Sequence, residues 1–426
     1  MIDPSLTSWV PVAADSDFPI QNLPYGVFSR NGGEPRIGVA IGDDVLDLHA
    51  CASAALFDAT VEATIVQSST LNALAAAGSK TWSALRSRIV ALLRADASEL
   101  RDDPAKRLAV VVPSREVTMR VPVDIGDYVD FYSSLEHATN LGKIFRPGGD
   151  PLMPNWRWLP VGYHGRSSTI VVDGTPVVRP IGQRKPPDAA PPSVGPSRLL
   201  DIELEIGFIT GPGNAMGTPI AIADAREHIF GLVLVNDWSA RDIQAWEYQP
   251  LGPFLGKSFA TSISPWIVTL EALEPFRVAG PAQEPPPLAY LRGDGAWNYD
   301  VALEVALETQ AMRAGGEAPA VVSASNFRHM YWNMAQQLAH ATINGTATRP
   351  GDLYASGTIS GERPDSYGSF IELTWRATKP LSLPNGETRG FLEDGDRVTI
   401  RGFCERPGAR RIGFGQVSGT ILPARE

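Results

Sequence analysis

The chain has 426 residues, of which 43% are hydrophobic and 20% are charged, and its formal net charge is −10. Because one hydrophobic core rarely serves so long a chain, we expect two domains. The acidic balance argues against nucleic acid and against an anionic membrane surface as partners. No apolar run reaches the roughly 18 residues of a membrane span. Two distant cysteines, and an N-terminus without a basic and then apolar leader, favour the reducing cytoplasm.

Along the chain, the predicted elements are mainly short strands. With 40 glycines and 36 prolines, turns should be frequent. We expect strands at 169–172, 266–270, 302–307 and 398–403. Apolar residues spaced along one face predict a helix over 81–95. Ser239 and Ser325 are candidate N-caps for two more helices, over 239–246 and from 326 to about 340.

A domain boundary is predicted near residue 120, because a dense polar and aromatic segment occupies 127–142 shortly after it. We therefore expect an N-terminal domain over 1–122 and a C-terminal domain over 123–426. Two proline-rich stretches, 185–196 and 281–287, are predicted to be surface loops of the second domain.

The segment 201–205, DIELE, alternates acidic with aliphatic residues. If it is a strand, Asp201, Glu203 and Glu205 lie on one face and the two aliphatic residues on the other. Three neighbouring acids repel one another unless they are solvated or share a cation. Two interpretations therefore stay open, a solvent-facing strand and a source of oxygen ligands for a hard cation such as Mg²⁺ or Ca²⁺.

Two further acids stand in unusual surroundings. Asp237 follows the apolar run 232–235 and precedes a crowd of polar residues that includes Arg241 and Gln244. An acid at such a position is often a turn or cap residue, but the polar residues next to it favour a functional site. Asp130 lies seven residues before His137. Acidic oxygens from three distant stretches therefore suggest one site for a hard cation.

His137 is a candidate general base, although a lone histidine often only packs or caps. A neutral imidazole can accept a proton from water at physiological pH. It would need a partner, typically a carboxylate, to hold its tautomer. His164, in GYHGR, is expected to satisfy local backbone groups instead. No spacing of cysteine and histidine suggests zinc, and no segment matches a phosphate-binding loop or a nucleophile elbow.

Six segments together resemble a known family. They are DYVDFYSSLEHATNLG from residue 127, LPVGYHGRSSTIVV from 159, LLDIELEIGF from 199, NDWSARDIQAWEYQPLGPFLGKSF from 236, ASGTISG from 355 and FLEDGDRV from 391. In this order they resemble the fumarylacetoacetate hydrolase family and cover most of 123–419. The long N-terminal portion resembles the full-length, two-domain members rather than the shorter ones.

The resemblance implies a mainly β, α+β architecture, with a small SH3-like N-terminal barrel followed by a larger β-roll catalytic domain. It implies a homodimer with active sites near the subunit contact and a small dicarboxylate diketone as substrate. The implied reaction is hydrolysis of a carbon–carbon bond of 4-fumarylacetoacetate to fumarate and acetoacetate, the last step of tyrosine and phenylalanine breakdown. The implied cofactor is Mg²⁺ and/or Ca²⁺.

The resemblance also implies roles for individual residues. The ligands of the catalytic cation would be Asp130, Glu203, Glu205 and Asp237. A second, structural magnesium would lie near Asp237, Lys257 and Thr261, with Lys257 offering its backbone carbonyl because an ammonium cannot be a ligand. His137 would be the base, and Glu372, in the strand-like FIELTW, its carboxylate partner. The groups that stabilise developing negative charge would be Arg241, Gln244 and Lys257. The substrate contacts would be Tyr132, Arg146, Tyr163, Gln244, Tyr248 and Thr358.

The sequence leaves two alternatives to this function. The first is a metal-dependent hydrolase or decarboxylase of another dioxo acid, such as an acylpyruvate, but such relatives are usually shorter. The second is a catalytically silent scaffold that binds metal, which would require the loss of His137 or its partner. The sequence retains both candidates.

Overall fold

The computed structural model describes residues 2–57, 61–186 and 191–425. In its N-terminal part the strands are β1 (Tyr25–Arg30), β2 (Arg36–Ile41), β3 (Asp44–Asp47), β4 (Val111–Pro113) and β5 (Val117–Arg120). The helices there are α1 (Leu48–Ser53), α2 (Ala63–Val66), α3 (Asn72–Ala76), α4 (Ser79–Leu93) and α5 (Pro104–Val110). The strands form one antiparallel sheet in the order β4-β3-β2-β1-β5.

The longer C-terminal part is also rich in strands. They are β6 (Tyr128–Phe131), β7 (Gly162–His164), β8 (Ile170–Val172), β9 (Val177–Val178), β10 (Ile181–Arg184), β11 (Ser193–Pro196), β12 (Leu200–Asp201), β13 (Leu204–Thr210), β14 (Ile229–Asp237), β15 (Ser239–Ala240), β16 (Thr261–Ile263), β17 (Val268–Thr269), β18 (Arg277–Val278), β19 (Asn298–Tyr299), β20 (Ala302–Glu308), β21 (Ala320–Asn326), β22 (Leu353–Ala355), β23 (Leu381–Ser382), β24 (Thr388–Arg389), β25 (Arg397–Cys404) and β26 (Ile412–Leu422). The helices are α6 (Leu135–Phe145), α7 (Ala225–His228), α8 (Arg241–Glu247), α9 (Leu270–Leu273), α10 (Gln310–Gly315), α11 (Met334–Thr342) and α12 (Phe370–Leu373).

Two larger sheets organise this part. The main sheet has the order β7-β6-β22-β13-β14-β16-β8, with β17 paired to β14. It is mixed, because β6 runs parallel to β22 and β8 runs parallel to β16, while β13 and β14 are antiparallel. The second sheet has the order β21-β20-β25-β26-β9. The mainly β, α+β architecture expected from the sequence is confirmed.

The main sheet is buried on both faces. On β14, Leu232 and Leu234 belong to the core shared with the second sheet, whereas Val233 and Val235 belong to the core shared with the N-terminal part. Because both faces are covered, the strand is a continuous apolar run, as strands buried on two sides usually are. The polar end of this strand, at Asp237, is therefore also enclosed by protein.

The helix predicted over 81–95 is confirmed as α4. The helix predicted to begin after Ser325 is wrong at its start. Ser325 and Asn326 end strand β21, which pairs with β20, and α11 begins only at Met334. Asn333 is its N-cap and forms a capping box with Gln336, a signal that the interpretation overlooked.

Two other local predictions also need correction. Ser239 is not a helix cap, because it pairs with Asp201 in the short ladder between β12 and β15, and α8 begins at Arg241. Residues 370–373 of the strand-like FIELTW are the helix α12. The carboxylate of Asp201 accepts hydrogen bonds from the N–H groups of Phe370 and Ile371, which satisfies the first turn of that helix.

Of the two predicted loops, 281–287 contains no helix or strand. In the stretch 185–196, residues 193–196 form β11, which pairs with β10 as a hairpin, and residues 187–190 lie outside the described residues. Among the described residues, no helix is both long and apolar enough to cross a membrane.

The contact between the N-terminal part and the main sheet generates a test of this architecture. Phe230 of β14 is 1% exposed, and its ring lies 5.2 Å from that of Trp82 and 5.9 Å from that of Tyr25. Phe230→Ala should lower the free energy of unfolding by about 3–5 kcal/mol, because it leaves a cavity in this contact. Denaturant unfolding followed by tryptophan fluorescence measures the change. Leu108→Ala, at a side chain that is 82% exposed, is the control and should change stability by no more than about 0.5 kcal/mol. Equal effects of the two substitutions would contradict the described packing.

Candidate metal centre and active site

Four acidic side chains converge at the ends of neighbouring strands. One carboxylate oxygen of each of Asp130, Glu203, Glu205 and Asp237 lies within 4.8 Å of the others, and all four residues are buried. Asp130 is near the end of β6, Glu205 is on β13, Asp237 ends β14, and Glu203 lies between β12 and β13. Strand pairing therefore brings together groups that are far apart in sequence.

Asp201, the first acid of DIELE, does not belong to this cluster. The chain leaves strand geometry between β12 and β13, so the alternation expected over 201–205 is interrupted. Asp201 instead forms an ion pair with Arg241, whose Nε lies 2.8 Å from its carboxylate. The prediction that all three carboxylates share one face is wrong, and the solvent-facing alternative is also excluded because all three are buried.

Two buried cations lie beside the acids. The Nζ of Lys257 forms ion pairs with Glu203 and with Asp237, the latter at 2.5 Å. Arg241 Nη2 lies 2.8 Å from Glu203 Oε1. The hydroxyl of Thr261 donates a hydrogen bond of 2.9 Å to Asp237. The ammonium group of Lys257 therefore lies inside the cluster, and Thr261 contacts the cluster through Asp237.

The protein's own cations do not balance all four carboxylates. Burial alone would raise the pKa of Glu203, but Lys257 and Arg241 lower it to about 2. Burial, followed by the neighbouring carboxylates, raises the pKa values of Asp130 and Glu205 well above their usual range. Burial also raises the pKa of Asp237, against the effect of Lys257. The negative charge of the cluster is thus only partly compensated.

Two fully buried oxygens of the cluster, Oδ1 of Asp130 and Oε1 of Glu205, have no hydrogen-bond donor among the described residues. The other Glu205 oxygen, Oε2, accepts a hydrogen bond of 3.0 Å from the N–H of Gly357. Gly357 has a φ of +77°, and a Cβ there would lie 2.2 Å from the carbonyl oxygen of Phe131, so the close approach requires glycine. Buried, unpartnered carboxylate oxygens are suitable ligands for a hard cation. The cluster could therefore hold a metal ion.

His137 and Glu372 form a buried pair next to the acids. Ser134 caps helix α6 by accepting the N–H of His137, which fixes His137 in the first turn. Its Nδ1 lies 2.6 Å from Glu372 Oε2. The ring of Tyr132 stands edge-on to the imidazole, with 5.3 Å between ring centres. The base and partner expected from the sequence are therefore in hydrogen-bond contact.

Glu372 is held as a carboxylate by several donors. Asn140, Ser360 and Ser369 donate hydrogen bonds of 2.7–3.0 Å to it. Burial alone would raise the pKa of Glu372, but His137 and these donors lower it. When the imidazole is neutral, an ionised Glu372 that accepts the Nδ1–H of His137 leaves Nε2 as the nitrogen that can accept a proton.

A pocket of about 380 Å³ opens beside the pair and the cluster. The predicted site residues that line it are Asp130, Tyr132, His137, Arg146, Tyr163, Glu203, Arg241, Gln244, Tyr248, Lys257 and Thr358. The predicted residues that lie behind this wall are Glu205, Asp237, Thr261 and Glu372. Gln244 Oε1 accepts a hydrogen bond from Arg241, and Thr358 Oγ1 is buried with no partner among the described residues.

The sequence interpretation missed several residues of this region. Asn140 and Ser369 each stand three positions from a predicted residue, His137 and Glu372 respectively, and that spacing on a helix turn could have revealed them. The hydroxyl of Tyr128 is buried near the acids and has no partner in the part of the chain that the structure describes. Nothing in its sequence context separates it from an ordinary core tyrosine.

Comparison with known proteins agrees with this geometry. A family model described as fumarylacetoacetate (FAA) hydrolase C-terminal matches residues 128–422, and one described as fumarylacetoacetase N-terminal matches residues 21–122. The chain belongs to the fumarylacetoacetate hydrolase family.

Similar proteins extend over nearly the whole chain. It is 53% identical to the fumarylacetoacetase of Homo sapiens and 51% identical to that of Arabidopsis thaliana, over 98% of this chain and 99% of each relative. A solved fumarylacetoacetate hydrolase from psychrophilic Exiguobacterium antarcticum superposes with a TM-score of 0.52 at 18% identity, over 95% of this chain and 100% of that one. The structural similarity shows a shared fold.

The charge imbalance of the cluster predicts how the protein responds to a cation. Adding Ca²⁺ to chelator-treated protein should raise its melting temperature, with a stabilisation of about 2.7 kcal/mol at 100 times the dissociation constant. Asp130→Asn removes one candidate ligand and one of the buried, mutually repelling carboxyl groups. Without Ca²⁺ this variant should melt at or above the wild type, and it should lose most of the response to Ca²⁺.

Thermal unfolding with and without Ca²⁺ measures both effects. Asp365→Asn is the matched control, because this exposed carboxylate forms only a surface ion pair with Arg363. It should behave as the wild type does. An Asp130→Asn protein that is less stable without Ca²⁺ and still fully stabilised by it would contradict the assignment of the cluster as a cation site.

Proposed function

We propose that this protein hydrolyses the carbon–carbon bond of 4-fumarylacetoacetate to fumarate and acetoacetate, the last step of tyrosine and phenylalanine breakdown. The observation that carries the proposal is the contact between His137, which lines the pocket, and Glu372 behind it, beside two acids of the cluster, Asp130 and Glu203, that line the same pocket. The relatives named fumarylacetoacetase, which match over 98% of the chain, support the choice of substrate.

In this proposal Asp130, Glu203, Glu205 and Asp237 hold a divalent cation, Mg²⁺ or Ca²⁺, since oxygen ligands suit both. When bound, such a cation supplies Lewis-acid polarisation of the two oxygens of a β-diketone. A second ion, a structural magnesium near Asp237, Lys257 and Thr261, also belongs to the proposal.

His137 acts as the general base in this proposal. Glu372 holds the Nδ1–H, so Nε2 takes a proton from the attacking water. The hydroxide adds to the carbonyl carbon on the fumaroyl side and forms a tetrahedral oxyanion. When this species collapses, the carbon–carbon bond breaks and its electron pair leaves with the acetoacetate carbon. The proton held by His137 then returns to that carbon, so the water has been divided between the two products.

Arg241, Gln244 and Lys257 stabilise the developing negative charge in this proposal. All three line the pocket, and both cations are buried, where a charge–charge interaction is stronger than in water. Because Gln244 Oε1 accepts a hydrogen bond from Arg241, its amide NH₂ is the group left to donate. Donors fixed before the reaction lower the barrier without reorganising during it.

The substrate contacts proposed are Tyr132, Arg146, Tyr163, Gln244, Tyr248 and Thr358. All of them line the same pocket. Arg146 is exposed at the end of α6 and can attract a carboxylate into a protein of net charge −10. Thr358 offers a buried hydroxyl without a partner among the described residues. These groups suit a ligand that carries carboxylates at its ends.

We also propose that the protein is a cytoplasmic homodimer with domains at 1–122 and 123–426. Beside the pocket, Trp246, Tyr248, Leu251, Phe254 and Leu255 are 38–96% exposed, an apolar surface that a second copy could cover. Cys51 and Cys404 are buried free thiols, in agreement with a reducing compartment. The two family models meet between residues 122 and 128, which supports the domain division.

An activity assay with paired variants tests the function. The protein should consume fumarylacetoacetate, which is measured as the loss of the substrate's ultraviolet absorbance. A strong chelator should abolish this activity. His137→Ala should lower kcat by about 10²- to 10⁴-fold because the general base is lost, while Ca²⁺ still raises its melting temperature. Glu372→Gln should also lower kcat, since the tautomer of His137 is no longer held.

His164→Ala is the control, because His164 is exposed on β7. It should turn over near the wild-type rate. Near wild-type turnover by His137→Ala would remove His137 as the base, and activity that persists in chelator would remove the metal role. Faster turnover of acylpyruvates than of fumarylacetoacetate would assign a different substrate.

A further inference from the structure

A second pocket, of about 280 Å³, lies directly behind the reaction pocket. The two pockets share the wall residues Phe145, Arg241 and Ala245. The remaining lining residues come from the hairpin β10–β11 and the residues directly after β10, the segment before β12, helix α8, and helix α12 with the turn after it. None of the residues proposed for catalysis or substrate binding, apart from Arg241, lines this second pocket.

The charge of the second pocket is the reverse of that of the whole protein. Besides Arg241, it is lined by Arg184, Lys185, Arg198 and Arg376. Within the described ranges 2–57, 61–186 and 191–425, these four side chains form no ion pair with a carboxylate, although most of the ion pairs in the protein involve arginine. Four cations without carboxylate partners around one cavity produce a strongly positive local potential.

Among the described lining residues the one acid, Asp242, already accepts hydrogen bonds from its neighbours. Asp242 accepts hydrogen bonds from the hydroxyl of Ser197 at 2.6 Å and from the N–H of Arg198 at 2.8 Å. Arg184 donates from Nη1 to the carbonyl of Pro196, while its Nε is buried without a partner among the described residues. An unpartnered buried donor of a guanidinium is costly unless an acceptor reaches it.

The lining residues and the volume of the second pocket limit the kinds of ligand that it can bind. Phe145, Leu199 and Ile371 give the pocket apolar sides. The volume lies near the lower limit of the roughly 300–1,000 Å³ typical of ligand pockets, so a nucleotide is too large. Cations around apolar walls suit a short carbon skeleton with carboxylates rather than an inorganic anion.

We propose that this pocket is an accessory site for a small dicarboxylate, of the class that the reaction releases. The choice of a dicarboxylate rests on the proposed function, whereas the existence of an anion site rests on the pocket itself. Its occupant would lie on the far side of Arg241 from the reacting atoms, so it would bind without filling the reaction pocket.

Calorimetric titration tests this proposal on the metal-loaded protein, with succinate as an unreactive four-carbon probe. The variant Arg198→Gln/Arg376→Gln removes two exposed cations of the pocket. Loss of charge-assisted hydrogen bonds should weaken succinate binding by about tenfold or more. Inorganic phosphate should bind more weakly than succinate, because it cannot use the apolar walls.

The control is Arg115→Gln/Arg401→Gln, which removes the same net charge from exposed arginines that line a different cleft. It should leave the affinity near that of the wild type, because distant charges are screened beyond about 8 Å at 0.15 M salt. Neither variant changes a residue that lines the reaction pocket, so any binding of succinate there should be the same in all of these proteins. An unchanged affinity in Arg198→Gln/Arg376→Gln, or an equal loss in the control, would overturn the proposal.

Further outcomes separate this inference from related ones. Arg198→Gln/Arg376→Gln should keep the wild-type kcat, KM and oligomeric state, and a loss of turnover would make the pocket part of the reaction site instead. Asp188 lies between Lys185 and Arg198 in sequence, outside the described residues. Succinate binding that is gained only in Asp188→Asn would mean that this acid fills the pocket, which would overturn the proposal. If the protein does not hydrolyse fumarylacetoacetate, the titration still decides whether the anion site exists.

Discussion

Four buried carboxylates within 4.8 Å of one another are the constraint on which the site depends. Desolvation and mutual repulsion both oppose such a cluster. Without compensating charge, the carboxyl groups would take up protons or move into solvent. The main sheet nevertheless holds them in place, because their strands are covered on both faces. The N-terminal part contributes here by closing one of those faces.

Successive ion pairs compensate part of the negative charge of the cluster. Lys257 and Arg241 neutralise Glu203 first, and Arg241 is itself held by Asp201, which also satisfies the first turn of α12. That short helix carries Glu372, so the ion pair that orients Arg241 also positions the partner of His137. The acidic cluster, the cations Arg241 and Lys257, and the pair of His137 and Glu372 therefore share one connected set of contacts. The buried oxygens of Asp130 and Glu205 that have no donor among the described residues are what remains for a cation.

Much of this site could be predicted from sequence, and the exceptions have physical reasons. Acid-rich segments pointed to Asp130, Glu203, Glu205 and Asp237, because carboxylates beside apolar runs are unusual unless they share a cation. Asp201 was misassigned, since strand alternation cannot reveal where a strand stops, and here it stops between β12 and β13.

Long-range partners are a different case. Glu372 is 235 residues from His137, so no local pattern could link them, and only the family resemblance suggested the pair. The segment FIELTW also depends on a distant partner. Its alternation indicates a strand, but its first residues form a helix whose N–H groups donate to the carboxylate of Asp201. Local patterns predicted α4 and two strands of the second sheet, β20 and β25, well, because those elements depend mainly on their own apolar spacing.

The central claim is that the four carboxylates bind one cation together. The most direct test is a crystal structure of the Ca²⁺-loaded protein, with the ion located by its anomalous scattering. We expect one Ca²⁺ with oxygens of Asp130, Glu203, Glu205 and Asp237 at about 2.3–2.6 Å. A cluster that stays free of Ca²⁺, with the ion bound elsewhere, would contradict the account.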